Sequence, residues 1–103
     1  MDCKLIVSEL ANSDLDGILE YIINDLKSPI AAVNLLDEIE KCYHHLKKNP
    51  LMYEKCTDVR LEKDDYRKVV IKNYILIYRF EEEKDTVKVA RFFYGGRNYT
   101  EYL

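Results

Sequence analysis

Residues 66–94 read YRKVVIKNYILIYRFEEEKDTVKVARFFY, and here the hydrophobic pattern changes from a period near 3.6 to a period of 2. That spacing is the signature of strands with one face turned to a core. Tyr66 to Lys72 alternates, with Arg67, Val69 and Ile71 on one face; Tyr74 to Phe80 is β-branched and aromatic; Thr86 to Tyr94 is β-rich again. Lys72-Asn73 and Glu81 to Asp85 are polar breaks of turn length, so the stretch predicts three strands in an antiparallel meander.

Upstream the period changes to that of helices. Ala11, Leu15, Ile18, Leu19, Ile22 and Leu26 fall on one helical stripe, with Ser8 as its cap and Gly17 as a weak point. Ser28-Pro29 is a cap followed by a proline at the first helical position, where a missing N–H costs nothing. It opens a second helix with the stripe Ala32, Leu35, Leu36, Ile39, Cys42, Tyr43 and Leu46. That helix must stop by Asn49-Pro50, because the residue before a proline is pushed out of the helical region. Cys3 to Val7 suits a short first strand, with Leu5 and Val7 on one side and Ile6 on the other. The order β-α-α-β-β-β predicts an α+β domain: an N-terminal strand and a two-helix antiparallel hairpin packed on one face of a twisted antiparallel sheet.

The chain has 103 residues, 48% of them hydrophobic, which is material for one core, and residues 1–103 are expected to form a single domain. Three cysteines, odd in number and without C-x-x-C spacing, suggest neither a disulfide framework nor a zinc site, and a reducing cytoplasm is the expected location. The start has no basic n-region and no later run approaches the length of a membrane span, so neither secretion nor membrane insertion is expected. Net charge is −3, but residues 1–59 hold 6 Lys/Arg against 11 Asp/Glu, and residues 60–103 hold 10 against 8. An acidic chain is a poor general nucleic-acid binder unless its cations are focused in one cleft.

Nucleophile elbows, phosphate-cradling glycine loops and metal-ligand spacings are missing from the sequence, and no metal or cofactor is expected. His44 and His45 fall near the end of the second helix beside Lys47 and Lys48, where positive charge suits the helix dipole better than catalysis. In the last third, cations interleave with aromatics: Tyr66-Arg67, Tyr78-Arg79, Arg91-Phe92, and Arg97 between Gly96 and Asn98. Guanidiniums and tyrosines in a cleft could bind a phosphate backbone and stack on a base. The same alternation also arises when Arg and Tyr merely cover the solvent face of a sheet.

Six short motifs in order narrow the choice: Asp14-Leu15 with Ile18 and Tyr21-Ile22; Ser28-Pro29 with Ala31-Ala32; Leu46 with Asn49-Pro50; Tyr66-Arg67; Asn73-Tyr74 with Tyr78-Arg79; and Gly95, Arg97 and Tyr99. Together they resemble the RelE/ParE superfamily of toxins from type II toxin–antitoxin systems, also called plasmid stabilisation proteins. The resemblance implies the fold derived above and a cognate antitoxin that wraps the toxin as an extended segment and a helix, giving a hetero-oligomer or a toxin homodimer.

It also implies one of two targets. RelE-like members are ribosome-dependent mRNA endoribonucleases; ParE-like members inhibit DNA gyrase. For the nuclease branch the resemblance carries over Arg97, Arg79, Tyr94 and Tyr102 as catalytic candidates, with arginine stabilising charge on phosphorus and a second group moving the proton. Against that branch, Ile75 stands where nucleases often have arginine, and Tyr94 where related toxins often have histidine. The Tyr78-Arg79 pair and the Gly95–Tyr99 ending resemble the ParE branch, which would make Arg67, Arg79, Arg91, Arg97 and Tyr99 target- or antitoxin-binding residues. A member that binds its antitoxin without being toxic is the third reading.

Overall fold

The computed structural model describes residues 2–56 and 65–95. Strand β1 (Lys4–Val7) leads into helix α1 (Glu9–Glu20), a π-helical turn (Tyr21–Asp25) and helix α2 (Pro29–Lys48); β2 (Arg67–Ile71), β3 (Tyr74–Glu81) and β4 (Thr86–Tyr94) follow. The sheet order is β1-β4-β3-β2.

Both helices start where the sequence places their caps. The Ser8 hydroxyl accepts the Ala11 N–H at 3.0 Å, and the Ser28 hydroxyl accepts the Ala31 N–H at 3.3 Å with Pro29 directly after it. Helix α2 ends at Lys48, one residue before Asn49-Pro50. Helix α1 is shorter than its apolar stripe. Past Glu20 the backbone widens into a π turn, which changes the angular step per residue, so Leu26 leaves the stripe and is 55% exposed.

The β2–β3–β4 meander is antiparallel, as expected, with Lys72-Asn73 as the first turn and Glu82–Lys84 in the second. Strand β1 departs from that pattern: it pairs parallel to β4, Lys4 opposite Thr86 and Val7 opposite Val89, which makes the sheet mixed. The reason is connectivity. Parallel pairing needs a long crossover, and the two helices that follow β1 supply one before the meander begins.

The helices lie on one sheet face, as the stripes require. Leu15 and Ile18 of α1 and Leu35 and Ile39 of α2 meet Ile71, Leu76 and Phe92. At its far end α2 reaches β1, where the Lys47 carbonyl accepts the Cys3 N–H at 2.9 Å. Helix α1 starts beside Val89 and α2 ends beside Cys3, so the two run in opposite directions across the sheet. On the opposite sheet face a smaller cluster forms from Cys56, Ile75, Ile77 and Phe93, with Tyr66 and Ala90 against it. No helix among the described residues is long and apolar enough to cross a membrane.

Candidate functional site

The register of β3 against β4 slips between Ile77, which faces Arg91, and Tyr78, which faces Val89. Ala90 is therefore an extra residue, a β-bulge. It reverses the alternation of β4: Val87 and Val89 point to the helices before it, Phe92 after it. Helix α1 is fastened to this irregularity. Ser8 donates its hydroxyl to the Ala90 carbonyl at 2.8 Å while capping α1, and its N–H donates to the Val89 carbonyl.

Two turns into α1, Asp14 holds the strand beyond the bulge. Its carboxylate accepts Arg91 Nε at 2.7 Å, Arg91 Nη2 at 3.1 Å and the Phe92 N–H at 3.1 Å. Arg91 also lies over the Phe93 ring, 4.8 Å from its centroid. Its guanidinium is raised above its ordinary value, chiefly by the hydrogen bond to Asp14. β1 stops pairing at Val89, so among the described residues Phe92 has no neighbouring strand on that side, and Asp14 supplies an acceptor for its N–H.

Between α1 and this part of β4 lies a cleft of about 640 Å³. Gly17, Tyr21 and Leu26 form one wall; Asn73, Tyr74 and Tyr94 form the other; Asp14 and Arg91 lie at its base. A Cβ added at Gly17 would meet nothing within 4 Å, so open space continues up to the helix backbone. Burial and the neighbouring Tyr21 and Tyr94 hydroxyls push the Tyr74 phenol up.

The residues expected to carry function divide. Arg91 is held by Asp14. Arg67 donates to the Tyr53 carbonyl at 2.7 Å and fixes the loop after α2. Arg79 faces Glu81 at 3.4 Å and lies 6.0 Å from the centre of the Tyr66 ring. Tyr94 is half exposed on the cleft wall, and its ring is 6.0 Å from that of Tyr74. Arg97, Tyr99 and Tyr102 lie outside the described residues. His44 and His45 are exposed on the last turns of α2, as expected, and neither lines the cleft.

Sequence reasoning missed Asp14 as an anchor, Gly17 as a wall and Glu81 as a hub. The Glu81 carboxylate takes Lys88 at 2.7 Å, Arg79 at 3.4 Å and Lys84 at 3.7 Å. These cations hold its carboxyl below the ordinary carboxylate value, the Lys88 hydrogen bond first among them. A depressed folded-state value contributes stability at neutral pH that disappears as pH falls through and below the carboxylate range. Wild type and Glu81→Gln should therefore differ in melting temperature at pH 7 and converge toward pH 3. A difference that stays constant across that range would remove the charge network as its cause.

The sequence matches a family model over residues 5–99, described as the ParE toxin of the type II toxin–antitoxin system, parDE. The chain belongs to this ParE toxin family. It is the toxin component of a type II toxin–antitoxin system, within the broader RelE/ParE group. A search of curated proteins finds no match.

Solved structures share the ParE toxin's fold. A chain from the chromosomal ParDE system of P. aeruginosa superposes with a TM-score of 0.71 at 16% identity, covering 89% of this toxin and 95% of that chain. A metal-bound toxin from Helicobacter pylori gives 0.60 at 14% identity, over 89% and 93%. A chain of the toxin–antitoxin complex RelBE2 from Mycobacterium tuberculosis gives 0.53 at 16% identity, over 91% and 99%. Among the toxin's described residues no group of three or more His, Cys, Asp or Glu could hold a metal ion.

Proposed function

We propose that this ParE-family toxin acts in the cytoplasm, is neutralised by a cognate antitoxin, and arrests growth by binding DNA gyrase without a chemical step of its own. One observation carries the last clause. The position at which the resemblance to nuclease members calls for arginine, just after the aromatic that opens β3, is Ile75. It is 8% exposed and packed with Ile77, Cys56 and Phe93. An apolar site of this kind would penalise the very charge that stabilises a phosphorane-like transition state.

Two further features agree. The Tyr78 hydroxyl, in a fully buried side chain, is spent on the Pro50 carbonyl at 2.7 Å, and burial pushes its phenol far above the range useful for proton transfer. Arg67 and Arg91 are held by contacts within the chain. As for the antitoxin, two of the similar folds come from a ParDE system and from a toxin–antitoxin complex, RelBE2, and this supports a protein partner for the present toxin.

The deciding experiment induces the toxin alone in bacteria and maps new mRNA 5′ ends, with Arg97→Ala in parallel and purified toxin assayed on gyrase supercoiling. Growth arrest with intact mRNA and inhibited supercoiling is the expected result. New cuts that vanish in Arg97→Ala would establish the nuclease instead, since one lost transition-state donor costs about 10²–10³ in rate. Absence of arrest would point to the non-toxic, antitoxin-binding reading.

A further inference from the structure

Helix α2 buries Ala32, Leu35 and Ile39. On the side turned away from them, Ile30, Val33, Asp37 and Glu40 follow one another at steps of three and four residues, which places them on one outer stripe. All four are exposed, Ile30 to 75%. Asp16 and Glu20 form an exposed outer stripe on α1, and the π turn between the helices adds exposed Ile23 and Asp25. The outer face of the helical hairpin therefore presents apolar side chains set among acids.

Neither kind of residue serves the folded monomer. Exposed isoleucine and valine remove little apolar area from water, and like charges three or four residues apart on a helix repel. The acids are also unanswered. Residues 9–40 contain Lys27 as their one cation. Asp14 is taken by Arg91 and Glu38 by Lys41, while Asp16, Glu20, Asp25, Asp37 and Glu40 have no ion-pair partner among the described residues. The cations of β3, β4 and the turn between them are, by contrast, answered within the chain: Arg79, Lys84 and Lys88 by Glu81, and Arg91 by Asp14.

We infer that this outer face of the hairpin docks on the cationic surface with which gyrase holds DNA. The inference rests on the proposed gyrase reading and names the surface and the chemistry of the contact. An enzyme that holds a DNA segment must offer lysines and arginines to its phosphates. The acids of the hairpin match that surface in sign and steer the encounter, and Ile30 and Val33 supply an apolar contact among them. A nucleic acid is the wrong occupant, because its phosphates carry the same sign as this face. Occupation of the DNA-holding surface also accounts for arrest without a chemical step, since toxin and DNA then compete for one place.

Binding of purified full-length toxin to gyrase is measured at about 50 and about 200 mM salt, with and without excess duplex DNA. Asp37→Lys combined with Glu40→Lys reverses the charge of the α2 stripe. Glu82→Lys combined with Glu83→Lys makes the same net change on the exposed turn between β3 and β4, outside the helices. Melting temperatures verify that both forms are folded, as expected for exposed substitutions. Should the helix pair melt early, Asp37→Asn with Glu40→Gln removes the charges without reversing them.

The expected result is that wild-type binding weakens about tenfold or more at the higher salt, that excess DNA displaces the toxin, that the helix pair weakens binding about tenfold or more, and that the turn pair leaves it within about threefold. Binding indifferent to salt or to the helix pair, equal loss in both pairs, or toxin retained under excess DNA would overturn the inference while the gyrase reading stands. No binding of wild-type toxin to gyrase at either salt would overturn both.

Discussion

Replacing Asp14 by Ala should destabilise the toxin by about 2–4 kcal/mol, because one carboxylate answers three donors and its removal takes that acceptor from all of them. The side chains of Asp14 and Arg91 are each 18% exposed, so water reaches the vacated site only in part. For a domain of this size the loss corresponds to about 10–20 °C in melting temperature. Urea unfolding at neutral pH measures it. Arg91→Ala should cost less, since Asp14 would keep the Phe92 N–H. Asp14→Asn should fall between, retaining an acceptor without the charge. A double-mutant cycle on Asp14 and Arg91 separates the ion pair from the backbone contact. If Asp14→Ala unfolded within about 0.5 kcal/mol of wild type, the carboxylate could not be what anchors α1 to the strand edge.

Asp14 also marks where the sequence stops being readable. Its partners are 77 and 78 residues away, and no local pattern announces such a contact. What depends on near neighbours could be read. Ser8, Ser28-Pro29 and Asn49-Pro50 bracket the helices because capping and proline sterics act within a turn. The three strands of the meander and their turns follow from a period of two. Parallel pairing of β1 could not be read, since four residues, KLIV, carry too little pattern to fix a partner or a direction.

The bulge left a signal that is visible once it is known. In residues 86–94, TVKVARFFY, the core-facing apolar residues fall at Val87 and Val89 and then at Phe92, a step from odd to even positions that an unbroken strand cannot accommodate. The interleaving of cations with aromatics suggested an interface arginine, whereas Arg91, which the slip puts on the Phe93 side of the strand, is bound by Asp14 of α1. The cleft exists because β1 pairs with only four residues of β4 and, among the described residues, α1 rather than another strand runs alongside the remainder.

Ile75→Arg tests the functional reading through the same sheet. It installs the side chain that the nuclease branch places at this point, and it does so in the cluster of Cys56, Ile77 and Phe93. An unpaired charge in such a site costs about 3–5 kcal/mol, a large share of the about 5–15 kcal/mol that holds a domain together. The expected outcome is a toxin that is largely unfolded at 37 °C and cuts no mRNA. Val70→Arg is the control that isolates burial from charge. Val70 is the cross-strand partner of Ile75 on the same sheet face, yet it is 68% exposed, and its substitution should shift stability by no more than about 0.5 kcal/mol. Equal effects of the two substitutions would show that the far face of the sheet is not packed as described. A stable Ile75→Arg protein that generated new mRNA 5′ ends would place the chain one substitution from a nuclease, and the case against chemistry would then fail at the residue on which it rests.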